Sequence, residues 1–230
     1  MNNFTNKLEL LLEKTKNILL QFGTIIFYIV LVLYLQITFI KGLRSPNIYI
    51  NNLAYLLIDL ITLVVFIAIF RKTLIPDWYD FKKNFRKYIK GNYKYWLYGL
   101  LIMIISNTII SQYIGMPVNE SLNRAMLADM PVYIISVIMI APITEEALTK
   151  IFFRKSINNK YIYMIATGLI FGSLHLLSIS SLIEVLYIIP YSALGCAFGY
   201  IYYNSNNIYT NIFFHAVHNL IAVILIFGGM

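Results

Sequence analysis

Several uninterrupted apolar runs, each about 18 to 24 residues long, constrain this chain more than any other feature. A helix of that length crosses the hydrocarbon core of a bilayer, which is about 30 Å thick, whereas a soluble core helix seldom needs so long a run. The composition agrees, because 60% of the residues are hydrophobic and 12% are charged, against roughly 25% charged in an average soluble domain. The sequence therefore predicts an all-α fold, a polytopic transmembrane helix bundle.

The apolar runs predict about seven membrane spans, and loop charge predicts their orientation. The spans cover 17–40, 53–70, 95–114, 131–153, 161–178, 182–203 and 208–228. Lys and Arg are enriched in cytoplasmic loops. Fourteen of the 18 fall on the side of the N-terminus and three on the other side, with Lys150 inside a span. We therefore expect a multi-pass plasma-membrane protein whose N-terminus is cytoplasmic and whose C-terminus is outside.

The positions of the basic residues explain the formal charge of +8 without a nucleic-acid partner, because they cluster at predicted helix ends. The segment 71–94 contains eight of these basic residues together with several aromatic residues. It is interpreted either as an amphipathic stretch in the headgroup layer on anionic lipid or as a solvated loop with interface anchors. Residues 1–94 then hold the N-terminal spans and a basic cytoplasmic loop, and 95–230 the bundle with the candidate site. The single cysteine, Cys196, provides no disulfide framework and no Cys-based metal site.

The fourth predicted span, 131–153, is unusually dense in charged residues. A charge at mid-membrane costs roughly 2.5–3.5 kcal/mol, and this span holds Glu145, Glu146 and Lys150. Four-residue spacing puts Glu146 and Lys150 on one helix face, where they can pair, while Glu145 points about 100° away. Pro142 either kinks the span or begins a new helical segment. Glu145 is therefore the better candidate for a general base.

All three histidines lie in the last quarter of the chain, within predicted spans. His175 falls in the fifth span, and His215, His218 and Asn219 fall in the seventh, with His215 and Asn219 on one helix face. Taken singly, each has a structural explanation, such as a satisfied buried histidine or an asparagine that bonds a neighbouring helix. Together with the acids, they predict one enclosed polar site at membrane depth.

These residue types are the ones that peptide hydrolysis needs. A carboxylate can take a proton from water, histidines can orient that water or bind a metal that acidifies it, and an asparagine amide can donate to an oxyanion. The His-Glu-x-x-His helix, the Gly-x-Ser-x-Gly elbow and the Walker-type phosphate loop do not occur in the sequence. A transporter or proton relay is a less favoured alternative, because intramembrane ionisable residues also mark transport pathways.

The order of these motifs resembles the CPBP family of intramembrane proteases, named for CAAX processing and bacteriocin processing and also called the Abi family. That family has Glu-Glu-x-x-x-Arg, then Phe-x-x-x-His, then His-x-x-x-Asn on separate membrane helices. This chain has Glu145-Glu146-x-x-x-Lys150, then Phe-x-x-x-His ending at His175, then His-x-x-x-Asn ending at Asn219, all within 130–225. Lys150 stands where the family has arginine, and lysine lacks the bidentate fork of arginine.

The resemblance implies a role for each matched residue. Glu145 would activate water, and Glu146 would support it, with Lys150 as its partner. His175 and His215 would orient the water or bind a metal, and Asn219 would help to hold the oxyanion. His218 is a supporting residue beside His215. The cofactor stays open between none and a divalent metal such as zinc, for which His175, His215 and Glu145 are the candidate ligands.

The resemblance also implies the partners of the chain. Family members cleave prenylated CAAX proteins or process small peptides, and some act in bacteriocin self-immunity. We therefore expect a membrane-associated peptide or protein substrate in the lipid bilayer, cleaved by glutamate-activated water. The main alternative is a non-proteolytic immunity or scaffold protein of the same fold.

Overall fold

A computed structural model describes residues 48–228 except 130 and 155, together with 6–13, 15–16, 19–20, 23 and 26. The predicted first span, 17–40, lies almost wholly outside the described residues, as do Lys41 and Arg44. The described residues form helices and contain no strand, so the all-α fold is confirmed.

Six helices follow one another in the continuous part of the structure. They are α1 (Ile48–Ile114), α2 (Val118–Asp129), α3 (133–154), α4 (Lys160–Leu174), α5 (Ile188–Ser205), preceded by a 3₁₀ turn (Leu182–Tyr187), and α6 (Ile208–Phe227). Within the described residues, three stretches are long and apolar enough to cross a membrane: Ile50–Ile114, Leu182–Ser205 and Ile208–Phe227. The count of seven spans stays a prediction.

Helix α1 is kinked at Asn84, whose φ of −114° and ψ of 20° are not helical. Before the kink, α1 contacts two other helices. The Asp59 carboxylate accepts a hydrogen bond from Ser136 of α3. Further along, Asp77 Oδ2 accepts from the Ile208 N–H of α6 at 2.9 Å. This first arm, 48–83, therefore runs from the start of α3 to the start of α6.

After the kink, α1 runs back along α5. Tyr95 packs on Tyr200 with ring centroids 4.3 Å apart, and a Cβ at Gly99 would lie 2.4 Å from that of Ala197. At the far end, the Tyr187 hydroxyl donates to the Gly115 carbonyl. Because the numbers rise on α1 as they fall on α5, this second arm, 85–114, is antiparallel to α5. The two predicted spans 53–70 and 95–114 thus fall on separate arms.

The segment 71–94 is helical apart from the kink at Asn84, and its place on anionic lipid or in solvent stays a prediction. It keeps helical geometry because its polar side chains bond locally and to the bundle. Asp80 accepts from the Asn84 amide at 2.7 Å and from the Asn207 amide at 3.1 Å. Asn207 also donates to the Asp77 carbonyl at 2.8 Å. The turn between α5 and α6 is therefore fastened to α1.

Helices α4 and α5 approach each other through glycines spaced four residues apart. Gly168 and Gly172 on α4 face α5, and Gly195 and Gly199 on α5 face α4. A Cβ added at Gly168 would lie 2.3 Å from the Sγ of Cys196 and 2.7 Å from its backbone nitrogen. Such small residues let helix backbones pack closely in a membrane, where no hydrophobic effect drives helices together. The interface fixes the position of α4, which carries His175 at its C-terminal end.

Gly168→Ala should lower the melting temperature of the purified protein in detergent, because the new methyl group meets backbone atoms of α5 that cannot move aside. Overpacking costs about 1–3 kcal/mol, which corresponds to roughly 2–12 °C for a chain of this size. Gly91→Ala is the matched control, because its Cβ would meet nothing within 4 Å. Equal melting temperatures for the two variants would contradict the close α4–α5 contact.

Candidate active site

Helix α3 carries both glutamates and alternates between α-helical and π-helical turns. Its α-helical piece Ala141–Glu146 lies between the π-helical turns Ser136–Ile140 and Ala147–Ile151. Pro142 lies in the first turn of that α-helical piece, so the upstream proline accompanies a change of helix type rather than a break. π-Helical turns leave carbonyls without their usual partners, and they occur frequently at functional sites.

The first π-helical turn explains what Asn219 binds. The Ala141 N–H bonds to the Ser136 carbonyl, so the next carbonyl, that of Val137, would need the N–H of residue 142, which is proline and has none. The Asn219 amide donates to the Val137 carbonyl at 2.8 Å. Asn219 thereby joins α6 to α3, and one of its two N–H groups is used in doing so.

Side-chain hydroxyls satisfy carbonyls of the second π-helical turn and the residues before it. Thr149 donates to the Glu145 carbonyl at 2.7 Å, and Tyr163 of α4 donates to the Lys150 carbonyl at 2.8 Å. A carbonyl left unbonded at membrane depth costs several kcal/mol. These bonds allow α3 to keep an irregular backbone beside the glutamates.

Glu146 is completely buried and forms a polar network with α6. Its Oε1 accepts from His215 Nδ1 at 3.0 Å, and its Oε2 accepts from the Asn211 amide at 3.2 Å. The Lys150 ammonium lies 3.9 Å from Oε2. The four-residue pairing of Glu146 with Lys150 is thus present, and a buried carboxylate is stabilised only when bonded and charge-balanced in this way.

Lys150 is fully buried and has further partners on α3 and α4. Its ammonium donates to the Thr149 hydroxyl at 3.1 Å and to the Thr167 carbonyl at 3.4 Å. It also lies 5.0 Å from the ring centroid of Phe171, a cation–π distance. The Lys150 ammonium therefore supplies both the positive charge beside Glu146 and the hydrogen bonds to its neighbours, without the bidentate guanidinium of arginine.

Two hydrogen bonds fix which ring nitrogen of each histidine carries the proton. His175 Nδ1 lies 2.9 Å from the Phe171 carbonyl, which can only accept, and His215 Nδ1 bonds the Glu146 carboxylate. Nδ1 is therefore the donor in both rings, and each neutral ring turns the lone pair of Nε2 to the other side. Both Nε2 atoms lie 3.9 Å from Glu145 Oε2.

Aromatic side chains hold the two imidazole rings. The ring centroid of His175 lies 4.6 Å from that of Phe171 and 4.8 Å from that of Tyr191, with an interplanar angle of 27° to Tyr191. His215 stacks on Phe198 at 5.1 Å and 24°. Rings packed in this way keep their Nε2 atoms directed at Glu145.

The predicted residues divide between a cavity and the protein behind it. The cavity has a volume of about 390 Å³ and is lined by Glu145, His175, His215, His218 and Asn219 among others. The Glu145 side chain is 29% exposed, whereas Glu146 and Lys150 are fully buried behind it. Five of the seven predicted residues therefore line one cavity, and the two adjacent glutamates occupy opposite environments.

The three candidate metal ligands converge without forming a ligand shell. A tetrahedral zinc with bonds of about 2.1 Å holds its ligands about 3.4 Å apart, and Glu145 lies 3.9 Å from both His175 and His215. Among the described residues, no group of three His, Cys, Asp or Glu side chains has a metal-binding arrangement. The three side chains, as placed, therefore do not fit a zinc site.

Sequence reasoning missed several residues of the site. Asn211 bonds Glu146 and the Phe198 carbonyl, the latter at 2.6 Å. Its signal was available, since Asn211, His215 and Asn219 follow one another at intervals of four on one face of α6. Tyr191 and Phe198 gave no such signal, because aromatic residues in apolar helices usually serve packing.

The fold and the site together define a membrane-embedded helix bundle with a glutamate–histidine centre. Residues 127–221 match the family model described as Type II CAAX prenyl endopeptidase Rce1-like. The match confirms the resemblance, because it is consistent with the CPBP family and covers all three motifs. The matched residues are therefore similar to a CAAX-type intramembrane protease, and the three apolar helices among the described residues agree with a multi-pass membrane protein. No curated protein and no solved structure gives a significant match to the chain.

Lys150→Met should destabilise the protein strongly, because it leaves the buried Glu146 carboxylate without its balancing charge. Breaking a buried pair in this way costs about 3–5 kcal/mol, a fall in melting temperature of roughly 6–20 °C. The double variant Lys150→Met, Glu146→Gln should recover part of the loss, since no charge is then buried alone. Lys90→Met, at an exposed position, serves as the control. A double variant no more stable than Lys150→Met would contradict the coupling.

Proposed function

We propose that this protein is an intramembrane endopeptidase that hydrolyses a peptide bond of a membrane-associated protein or peptide. The observation that carries the proposal is the position of Glu145 Oε2, 3.9 Å from Nε2 of both His175 and His215. This oxygen has no hydrogen-bond partner among the described residues. Each histidine Nε2 is too far from this oxygen for a direct hydrogen bond and close enough for a water molecule to lie between them.

Glu145 is the proposed general base. Its carboxylate takes a proton from the water while the water oxygen attacks the carbonyl carbon of the scissile bond, which forms a tetrahedral intermediate. The same proton then passes to the leaving nitrogen, and the C–N bond breaks. The products are a new carboxyl terminus and a new amine, and Glu145 returns to its carboxylate form.

His175 and His215 flank the attacking water with their Nε2 atoms. Because water has two hydrogens, it donates one to Glu145 and the other to the Nε2 lone pair of one histidine. The Nδ1 bonds to Phe171 and Glu146 hold these lone pairs in place. Glu146 acts through His215 and not on the substrate, because it is sealed behind the histidine. This is the arrangement in which one carboxylate positions an imidazole while the other performs proton transfer.

Asn219 is the proposed donor to the oxyanion. One N–H of its amide bonds the Val137 carbonyl, which fixes the plane of the amide at the cavity wall. The other N–H is available to the negative oxygen that develops during attack. His218, also on the cavity wall, is assigned a supporting role beside the bound peptide.

Glu145→Gln tests the base directly. Cleavage of a membrane-proximal peptide library by the purified protein should fall by about 10²–10⁴-fold, because glutamine cannot take the proton, while the melting temperature should stay near that of the wild type. Glu146→Gln is the matched comparison on the neighbouring residue, and it should lower both the rate and the melting temperature. Cleavage by the Glu145 variant at the wild-type rate would refute the assignment. A biological effect that survives this change would instead support an immunity or scaffold role.

Asn219→Ala should reduce kcat by about 10²–10³-fold with little change in KM, since the lost bond forms only as the oxyanion develops. Asn211→Ala provides the contrast, because that residue bonds Glu146 and does not line the cavity. It should lower stability together with the rate. An Asn219 variant that changes KM alone would place this amide in substrate binding and not in the chemical step.

A further inference from the structure

The positions of the basic residues and of the cavity, taken together, indicate from which side a substrate reaches Glu145. We propose that the cavity opens on the non-cytoplasmic face of the membrane. It receives an amphipathic peptide segment presented from that face, a role that rests on the proposed function. The substrate would then be an exported peptide or the outer flank of a membrane protein, with its scissile bond a short distance inside the bilayer.

One end of the bundle is strongly basic. The Lys160 ammonium donates to the Tyr200 hydroxyl at 3.0 Å, which places the start of α4 beside the end of α5. The same end holds the start of the second arm of α1, where Tyr95 packs on Tyr200. The described basic residues associated with this end are Arg71, Lys72, Lys82, Lys83, Arg86, Lys87, Lys90, Lys94, Arg154 and Lys160. By the positive-inside rule, this end is cytoplasmic.

The cavity mouth lies at the opposite end. Helix α2 contributes Asn119, Glu120, Asn123 and Arg124 to the cavity lining. The start of α2 is fastened near the start of α5, since the Val118 N–H donates to Glu184 Oε2 at 3.3 Å. The 3₁₀ turn that contains Glu184 is separated from Tyr200 by most of α5, which at 1.5 Å per residue is about 20 Å.

Arg124 is the one described basic residue at the cavity end, and Glu120 pairs with it at 2.8 Å. The pair leaves this end without net positive charge from α2. The cavity therefore opens at the end of the bundle that has few basic residues, opposite the basic end.

A solid layer of protein separates the site from the basic end. The five residues that follow Glu145 on α3, 146–150, have no exposed surface, and the same is true of neighbouring residues on α4, α5 and α6. The largest side chains of this layer are Leu148 and Lys150 of α3, Tyr163 of α4, Phe198 and Ile201 of α5, and Ile208 of α6. Water and peptide therefore have no path to Glu145 through the basic end.

The lining of the cavity also indicates the chemistry of its occupant. Its α2 side presents amide and charged groups suited to a peptide backbone. Its other wall is apolar, formed by Met103 of α1 together with Val223, Leu225 and Ile226 of α6. A segment with one polar and one apolar side matches both walls. Such a segment lies naturally at the membrane surface.

Cysteine labelling in intact cells tests the direction of opening. In a Cys196→Ala background, which has no other cysteine, single variants Ser121→Cys on exposed α2 and Lys87→Cys on the exposed basic segment are treated with a membrane-impermeant maleimide. Labelling of the Ser121 variant from outside, with the Lys87 variant labelled only after permeabilisation, is the expected result. The reverse pattern, or labelling of both variants from the same side, would overturn the proposal.

A second measurement separates this inference from the proposed function. Impermeant fluorogenic amphipathic peptides are added to right-side-out and inside-out vesicles, with Glu145→Gln as the control in each. Cleavage should occur in right-side-out vesicles alone, whereas cleavage confined to inside-out vesicles would overturn the inference. If no vesicle and no detergent-solubilised protein cleaves any peptide, the proposed function fails, while the labelling pattern still decides the direction of opening.

Discussion

The structure depends on the burial of one carboxylate, that of Glu146, inside a bundle with almost no other charge in its centre. An isolated carboxylate there is prohibitively costly, so the surrounding helices must supply donors and a countercharge. α6 supplies His215 and Asn211, and α3 itself supplies Lys150. The requirement to satisfy Glu146 thus sets the rotation of α6 against α3 and brings the remaining polar groups into one place.

The consequences reach the residues that face the cavity. Because Glu146 occupies Nδ1 of His215, the free lone pair of that ring is directed at Glu145. His175 arrives from the end of α4 with the same tautomer, fixed by a backbone carbonyl. The glycine contacts between α4 and α5 are what allow Phe171 to lie against both imidazoles and the Lys150 ammonium. Packing, hydrogen bonding and charge balance therefore support the same small group of atoms.

An irregular backbone makes this arrangement possible in α3. A uniform α-helix would bond the Val137 carbonyl within the helix, and Asn219 would lose its partner on α3. The π-helical turn and Pro142 free that carbonyl, and the amide from α6 takes it. The irregular backbone is tolerated at membrane depth because the carbonyls of Val137, Glu145 and Lys150 each accept from a side-chain amide or hydroxyl.

The sequence by itself determined the all-α class, the motif residues and their pairing within single helices, since hydrophobic length and four-residue spacing follow directly from helix geometry. It correctly paired Glu146 with Lys150 and set Glu145 apart. It did not determine the helical state of 71–94, the place of His175 at a helix end, or the role of Asn211. Only the tertiary structure decided that Glu146 is sealed while Glu145 faces the cavity, because spacing fixes which residues share a face and cannot say which neighbour that face will meet.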